Sequence, residues 1–544
     1  MNKYTSIITD DKFSLLTLRV TEYPKCLSHW ETLISHLITK SKPINKALEP
    51  ELCDLIRNTY ESILFHFPYL ENYHIDYALF EFKLGNISKV HKTFKQALSI
   101  FNQRSLLLWI SYLKICNDII LEPKQLFKKY ETAEKYIGLH FYSAEFWDLY
   151  LKQLEERCIM KNRYFIVLRK ILEIPLYSYS KFYAIWLHHI DNIKDLSQLT
   201  YLVRKDELLK KFNIDVDFRR RRGLLLLDAK TKLKKLTKEL YTVTQCQVLE
   251  MFTLFESKIT TQYYTSPENL IASDEIVIWE KYINYTINLN ITNLIYLNFQ
   301  RALLPLAHYD LIWIKYANWL IDKENDLPSA NNILLQGLKV SLKKSNILKL
   351  LYTVLLRMNE IQKLSDILNE LEKSYGNKIE NTEDFSLFWD FIQFTIFLKN
   401  TPSQSRYSDA TQSTELLPSS IFEKIMKRLS YGDSKNGQED ILSNLIQLQT
   451  KDNTNTIEEE VFKRIIASKW DYYLNNGIFW ALYSRLIFFD PSRSYLEKRK
   501  YIVSSIWKVA SDYNLKNKIS LKEFCINYLT DDIEIFEDLF DIHE

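Results

Sequence analysis

The chain has 544 residues, 47% of them hydrophobic, and a formal net charge of +3. Only 8 glycines and 12 prolines leave few turns, which disfavours a sheet-rich enzyme built from many short strands and points to an all-α protein. Its six cysteines (Cys26, Cys53, Cys116, Cys158, Cys246 and Cys525) form no CxxC knuckle or readable disulfide framework, and no apolar run resembles a secretory leader or a membrane span. A soluble intracellular protein with free thiols in a reducing compartment is expected.

In chain order, the predicted elements repeat. Trp30 opens a first unit, and Tyr73 to Tyr77 forms a second with His74 where a tryptophan would stand. Trp109/Tyr112 and Trp147/Tyr150 follow, and Trp186 to His189 makes a fifth unit with histidine in place of tyrosine. After a basic interval the pattern resumes at Trp279/Tyr282 and Trp313/Tyr316, passes through the degenerate Lys349/Tyr352 and Trp389/Ile392, and returns at Trp480/Tyr483. Positions three apart share one helical face, so each pair forms an aromatic stripe for a neighbouring helix to cover. The interval is 34 residues from Trp279 to Trp313, 38 from Trp109 to Trp147 and 39 from Trp147 to Trp186, as stacked two-helix repeats require.

Each repeat reads as helix A with the aromatic pair, then helix B with a small residue for close approach. Leu311, Trp313, Ile314, Tyr316, Ala317 and Leu320 have the apolar spacing of a helix A, and the helix B before it reads Phe299 to Pro305 with Ala302 as its small residue. Pro305 stops that helix, and Phe67-Pro68, Ile174-Pro175 and Asp490-Pro491 repeat the punctuation. The expected organisation is an α-solenoid of helical-hairpin repeats in two arms: residues 1–203, a basic linker and connecting helix over 204–262, and residues 263–544. Mobile loops are expected at 400–420 and 431–440.

No catalytic constellation is readable: HExxH and GxSxG are absent, and the isolated glycines form no Walker loop or dinucleotide fingerprint. His188 and His189 point about a quarter-turn or more apart on a helix, so packing or solvent explains them better than a metal. The ten paired aromatics, Trp109, Tyr112, Trp147, Tyr150, Trp279, Tyr282, Trp313, Tyr316, Trp480 and Tyr483, read as repeat core rather than base-stacking platforms. From Arg204 to Lys238 there are 13 Lys/Arg against 5 Asp/Glu, including Arg219, Arg220, Arg221, Arg222, Lys230, Lys232, Lys234 and Lys235. This stretch is a solvated helix face, an import signal or an RNA-phosphate patch. Asp531 to Glu544 has seven acidic residues, no Lys or Arg, and an apolar stripe at Ile533, Phe536, Leu539 and Phe540. It reads as a cap on the last repeat in preference to a partner-docking helix.

Through the Trp-x-x-Tyr of helix A and the aromatic, Arg301-Ala302-Leu303 and Pro305 of helix B, the chain resembles the HAT (half-a-TPR) repeat proteins of RNA processing. Leu168 to Tyr179, Phe255-Glu256, Trp279 to Tyr282, Phe299 to Pro305 and Tyr309 to Leu320 resemble, in that order, the HAT proteins of the U1 small nuclear ribonucleoprotein (U1 snRNP), and the length suits the shorter of two paired fungal subunits. The resemblance implies a nuclear, non-catalytic scaffold without cofactors. It would support 5′ splice-site recognition in pre-mRNA splicing, beside other U1 snRNP proteins and a related HAT subunit joined through the C-terminal array. U1 snRNA or pre-mRNA would be met mainly indirectly, and no membrane is involved. The alternatives are a HAT scaffold of 3′-end cleavage or ribosome biogenesis, and a direct RNA-binding protein using the central basic patch.

Overall fold

The computed structural model describes residues 3–158, 161–195, 198–203, 222–381, 391–394, 419–430 and 457–540, and among these there is no β-strand, only an isolated bridge between Asn476 and Lys516. The protein is an all-α solenoid of repeated helical hairpins. It divides into two compact units, Met1–Lys343 and Lys344–Glu544.

The first unit opens with α1 (Lys3–Ile8), α2 (Asp11–Glu22), α3 (Leu27–Ser41) and α4 (Pro50–His66), and continues through α5 (Glu71–Lys83), α6 (Ile87–Ile100), α7 (Leu106–Ile119), α8 (Pro123–Ile137), α9 (Ala144–Arg157), α10 (Lys161–Leu172), α11 (Tyr179–Asp191) and the short α12 (Leu199–Leu202). The 33-residue α13 (Arg222–Leu254) follows, then α14 (Ser273–Leu289), α15 (Thr292–Leu303), α16 (Asp310–Trp319) and α17 (Leu327–Val340). α4, α10 and α15 end shortly before Pro68, Pro175 and Pro305, where a helical ring would clash with the preceding turn. α5 packs on α7 and α7 on α9, so helices A form one layer, while each helix B closes against its own helix A.

α13 is a packed part of this unit. It lies along α11 and buries Ala229, Leu233, Thr237, Thr244, Val248 and Met251, so it occupies the helix-B place of the fifth repeat. Trp186 donates its indole N–H to Thr237 at 3.2 Å, and Thr244 donates its hydroxyl to the Leu172 carbonyl at 3.2 Å.

The repeat arrays and the compact units do not coincide. The loops between successive repeats of the first array form a row that seats the start of the second. Tyr69 meets the rings of Tyr264 and Trp313 at 6.4 and 6.0 Å, and Asn102 donates to Gln300 at 3.1 Å. The Arg104 guanidinium lies 4.5 Å over Tyr296, Tyr142 lies 6.0 Å from the Arg301 guanidinium, and Tyr177 meets Phe252 at 5.7 Å. Four consecutive loops thus touch residues 252–313, all within the unit Met1–Lys343.

The second unit contains α18 (Ser345–Arg357), α19 (Ile361–Asn381), α20 (Ser419–Ser430), α21 (Ile457–Ala467), α22 (Asp471–Leu474), α23 (Gly477–Phe488), α24 (Tyr495–Tyr501), α25 (Lys508–Ser511), α26 (Lys518–Tyr528) and α27 (Ile533–Phe540). α27 is the acidic amphipathic segment. Phe536 and Phe540 are buried, with Phe536 5.1 Å from Trp507, and Asp532 receives both forks of Arg499 at 2.7 Å. It covers the last hairpin, and residues 541–544 lie outside the described residues. So do the loops expected at 400–440, apart from α20.

Candidate functional site

All ten paired aromatics are buried, none more than 5% exposed. The tryptophans share a bond as well as a face. Trp30, Trp109, Trp313 and Trp480 each donate the indole N–H to the backbone carbonyl six residues earlier: Pro24 at 2.9 Å, Gln103 at 2.7 Å, Ala307 at 2.9 Å and Leu474 at 2.9 Å. Each bond ties a helix A to the loop that delivers it and satisfies a carbonyl that the loop's turn leaves without a ladder partner. His74 forms the same bond with Nε2 on the Pro68 carbonyl, 3.0 Å away. Burial lowers its proton affinity against the opposing pull of that carbonyl, so the neutral ring with its proton on Nε2 fills the tryptophan's role. Trp147 reaches the Gly138 carbonyl at 3.1 Å, and Trp279 makes no such bond.

The tyrosines close a second recurring contact, with an aromatic ring on, or just past the end of, an earlier helix. Phe94 meets Tyr112 at 5.0 Å, Tyr130 stacks on Tyr150 at 4.8 Å, Phe255 on Tyr282 at 4.6 Å, Phe299 on Tyr316 at 4.4 Å and Phe462 on Tyr483 at 5.0 Å. The repeat core is therefore a trio, helix-B aromatic, Trp and Tyr. At the divergent fifth unit His189 keeps the contact, 5.1 Å from Phe165 and 3.3 Å from the Tyr164 hydroxyl. At the eighth, Lys349 is exposed and Leu348 takes the buried place beside Tyr352. Trp389 lies outside the described residues. Leu311, expected on the buried stripe, is 43% exposed, and Ile312 is buried instead.

Around Trp279 the core holds a buried ion pair. Arg301 donates to Glu256 through both forks at 2.8 and 3.0 Å, Tyr282 donates its hydroxyl to the same carboxylate at 2.8 Å, and the guanidinium lies 5.6 Å over the Trp279 ring. Burial disfavours the Arg301 charge, and the Glu256 carboxylate overrides this and raises its pKa, so Arg301 stays protonated. The Arg-Ala-Leu of this helix B is thus a lock between repeats.

The central basic patch is only partly available to a ligand. Lys230 donates to the Asp191 carbonyl at 2.8 Å, Lys234 pairs with the Asp191 carboxylate at 2.5 Å and Lys232 with Asp228 at 2.8 Å. Lys235 and Lys238 are exposed. Arg219, Arg220 and Arg221 lie outside the described residues, and Arg222 is described only as the first residue of α13. Among the described residues no group of three or more His, Cys, Asp or Glu could hold a metal ion, and no helix is long and apolar enough to cross a membrane.

The PRP39 N-terminal HAT repeat family matches residues 16–188, and the PRP39 C-terminal HAT repeat family matches residues 251–387. The chain is 56% identical over 541 residues to the U1 small nuclear ribonucleoprotein component PRP42 of Saccharomyces cerevisiae, covering 99% of each chain. The chain belongs to the HAT-repeat family of PRP39 and PRP42. Pre-mRNA-processing factor 39 of Schizosaccharomyces pombe is 21% identical over 56% of this chain and 50% of its own length, and that of S. cerevisiae is 24% identical over 50% and 38%. Within this HAT family the match to PRP39 spans half or less of the relative, whereas the match to PRP42 runs end to end.

Proposed function

We infer that the chain is a scaffold subunit of the U1 snRNP and supports 5′ splice-site recognition in pre-mRNA splicing. The observation that carries this is the 56% identity to PRP42 over 99% of both chains. The repeat core supports it, since buried aromatic trios build a stiff array whose outer surfaces are left for partners. The chain acts without catalysis and in the nucleus, and its repeats are read as an array over 1–203, a basic segment over 204–262 whose connecting helix completes the fifth repeat, and an array over 263–544.

Its direct partner is a related HAT subunit, bound through the C-terminal array. The support is an aromatic patch where α23 turns into α24. Phe489, Tyr495 and Leu496 are 53%, 48% and 72% exposed, and the half-buried Phe488 and Tyr528 back them at 5.1–5.5 Å ring spacings. Exposed aromatics backed by an arginine such as Arg485, 5.8 Å from the Phe489 ring, are the composition of interface anchors. Native affinity purification of the tagged chain tests the reading. U1 snRNA and a second HAT protein should co-purify, whereas 3′-end cleavage factors or pre-ribosomal RNA in their place would assign it to another complex.

A further inference from the structure

The first array separates its charge between its two helix layers. The helices A, α5, α7, α9 and α11, carry 5 Lys/Arg against 9 Asp/Glu. The helices B, α6, α8, α10 and α13, carry 17 Lys/Arg against 5 Asp/Glu. The A layer is therefore net −4 and the B layer net +12, in a chain whose total is +3. The B helices are neighbours. His91 of α6 and Lys129 of α8 both contact Tyr112, Arg163 of α10 pairs with Glu131 of α8 at 2.7 Å, Lys170 pairs with Glu134, and α10 packs on α13.

Those pairs occupy the two acidic residues of α8 and leave the lysines on its outer side uncompensated. Lys92 and Lys95 on α6, and Lys124 and Lys128 on α8, are exposed and have no ion-pair partner among the described residues. They stand in two stripes at helical spacing, with Gln96, Ser99, Gln125 and Thr132 around them. Lys235 and Lys238 extend the same charge onto α13.

We propose that this B-helix face of the first array holds the phosphate backbone of an RNA strand, without reading its sequence. Phosphate contact needs cationic side chains free of internal partners, which this face supplies. An acidic protein segment would need an apolar anchor as well. On α6 and α8 the exposed large apolar residues, Ile87 and Leu121, sit at or before the helix starts and not between the four lysines, while Ile166 of α10 and Leu236 of α13 are exposed farther along the layer. The inference goes beyond the scaffold reading and stands independently of which complex the chain joins, because it concerns the purified chain alone.

The test is fluorescence anisotropy of a labelled single-stranded RNA of mixed sequence with the full chain, from about 50 to about 200 mM salt. One variant combines Lys92→Gln, Lys95→Gln, Lys124→Gln and Lys128→Gln. The control removes the same charge from the A layer with Lys83→Gln, Lys114→Gln, Lys152→Gln and Lys181→Gln. Binding by the parent should weaken steeply with salt. The B-layer variant should bind about tenfold or more weakly, and its log-log salt slope should fall by about 0.7 for each phosphate that is no longer neutralised. The control should match the parent, and unchanged thermal melts would show that both variants fold. Equal weakening in the two variants, or no RNA binding by the parent, would overturn the proposal. So would tight binding of polyglutamate with none of RNA, which would assign the face to an acidic protein segment.

Discussion

Trp313 is fully buried, donates to the Ala307 carbonyl and lies 6.0 Å from Tyr69 of the first array, so its removal acts on two arrays at once. Trp313→Ala should destabilise the first unit by about 3–5 kcal/mol through the cavity it leaves. Trp313→Phe, which keeps most of the ring and loses the N–H, should cost less. Chemical denaturation of both variants measures the difference, and a parental melt for Trp313→Ala would place the residue outside the core. The aromatic pairs are legible in the sequence because two large residues at helical spacing, recurring at 34 to 39 residues, suit a stack of helical hairpins and little else. The role of His74 is not. Only the carbonyl at Pro68 reveals that an imidazole N–H can replace an indole N–H.

Glu71 is equally unreadable from sequence, because its partner is 34 residues away. Its carboxylate accepts the Ser105 hydroxyl at 2.5 Å and links the starts of α5 and α7. Burial pushes its pKa up to about 7, with the Ser105 bond opposing. The folded chain therefore holds this proton more tightly than the unfolded chain, whose carboxyl titrates near 4.5. The associated stability is fully present at pH values below about 4.5 and is lost as the pH rises to about 7, by about 3 kcal/mol at most. Glu71→Gln keeps an acceptor oxygen and removes the ionisation. Its melting temperature should match the parent at about pH 5 and exceed it at about pH 8. A difference independent of pH would show that Glu71 is not the group titrating.

Among the elements, α17 shows how closely the hairpins pack. A Cβ on Gly337 would lie 2.8 Å from Cγ and Cδ2 of Trp313, near the root of a ring that has nowhere to move. On an open helix, glycine to alanine is stabilising by about 1 kcal/mol. Here Gly337→Ala should instead destabilise by about 1–3 kcal/mol through overpacking, and a raised melting temperature would contradict that contact. Breaking the lock that ties α15 to Glu256, in the turn after α13, should cost more: Arg301→Met strands the Glu256 carboxylate in the core, at about 3–5 kcal/mol. A destabilisation below about 1 kcal/mol in urea denaturation would mean that water reaches Glu256. The helices and their proline stops follow from local sequence, and so does the long α13. Its basic residues mislead in part, since periodicity cannot show that Lys230, Lys232 and Lys234 are turned toward Asp191 and Asp228. The charge division between layers is hidden for a related reason. Each helix is only mildly basic or acidic, and the sum emerges once alternate helices are known to share a face.

For the whole molecule, two arrays are visible in the sequence, but their joining into one unit is not, because contacts such as Asn102 to Gln300 span 198 residues. Cutting the chain near residue 210 would therefore expose Tyr69, which is 2% exposed in the intact unit. Fragments should be divided at 343/344 if they are to fold. The identity to PRP42 runs through both units and past the family matches, which end at residue 387. That full-length agreement is what makes the scaffold assignment specific to the U1 particle. Its most direct measurement is replacement in an S. cerevisiae splicing extract depleted of its own PRP42, scoring association of U1 snRNA with a 5′ splice-site RNA. The purified chain should restore that association to near the undepleted level, whereas a folded chain that leaves the depleted extract unchanged would contradict the account.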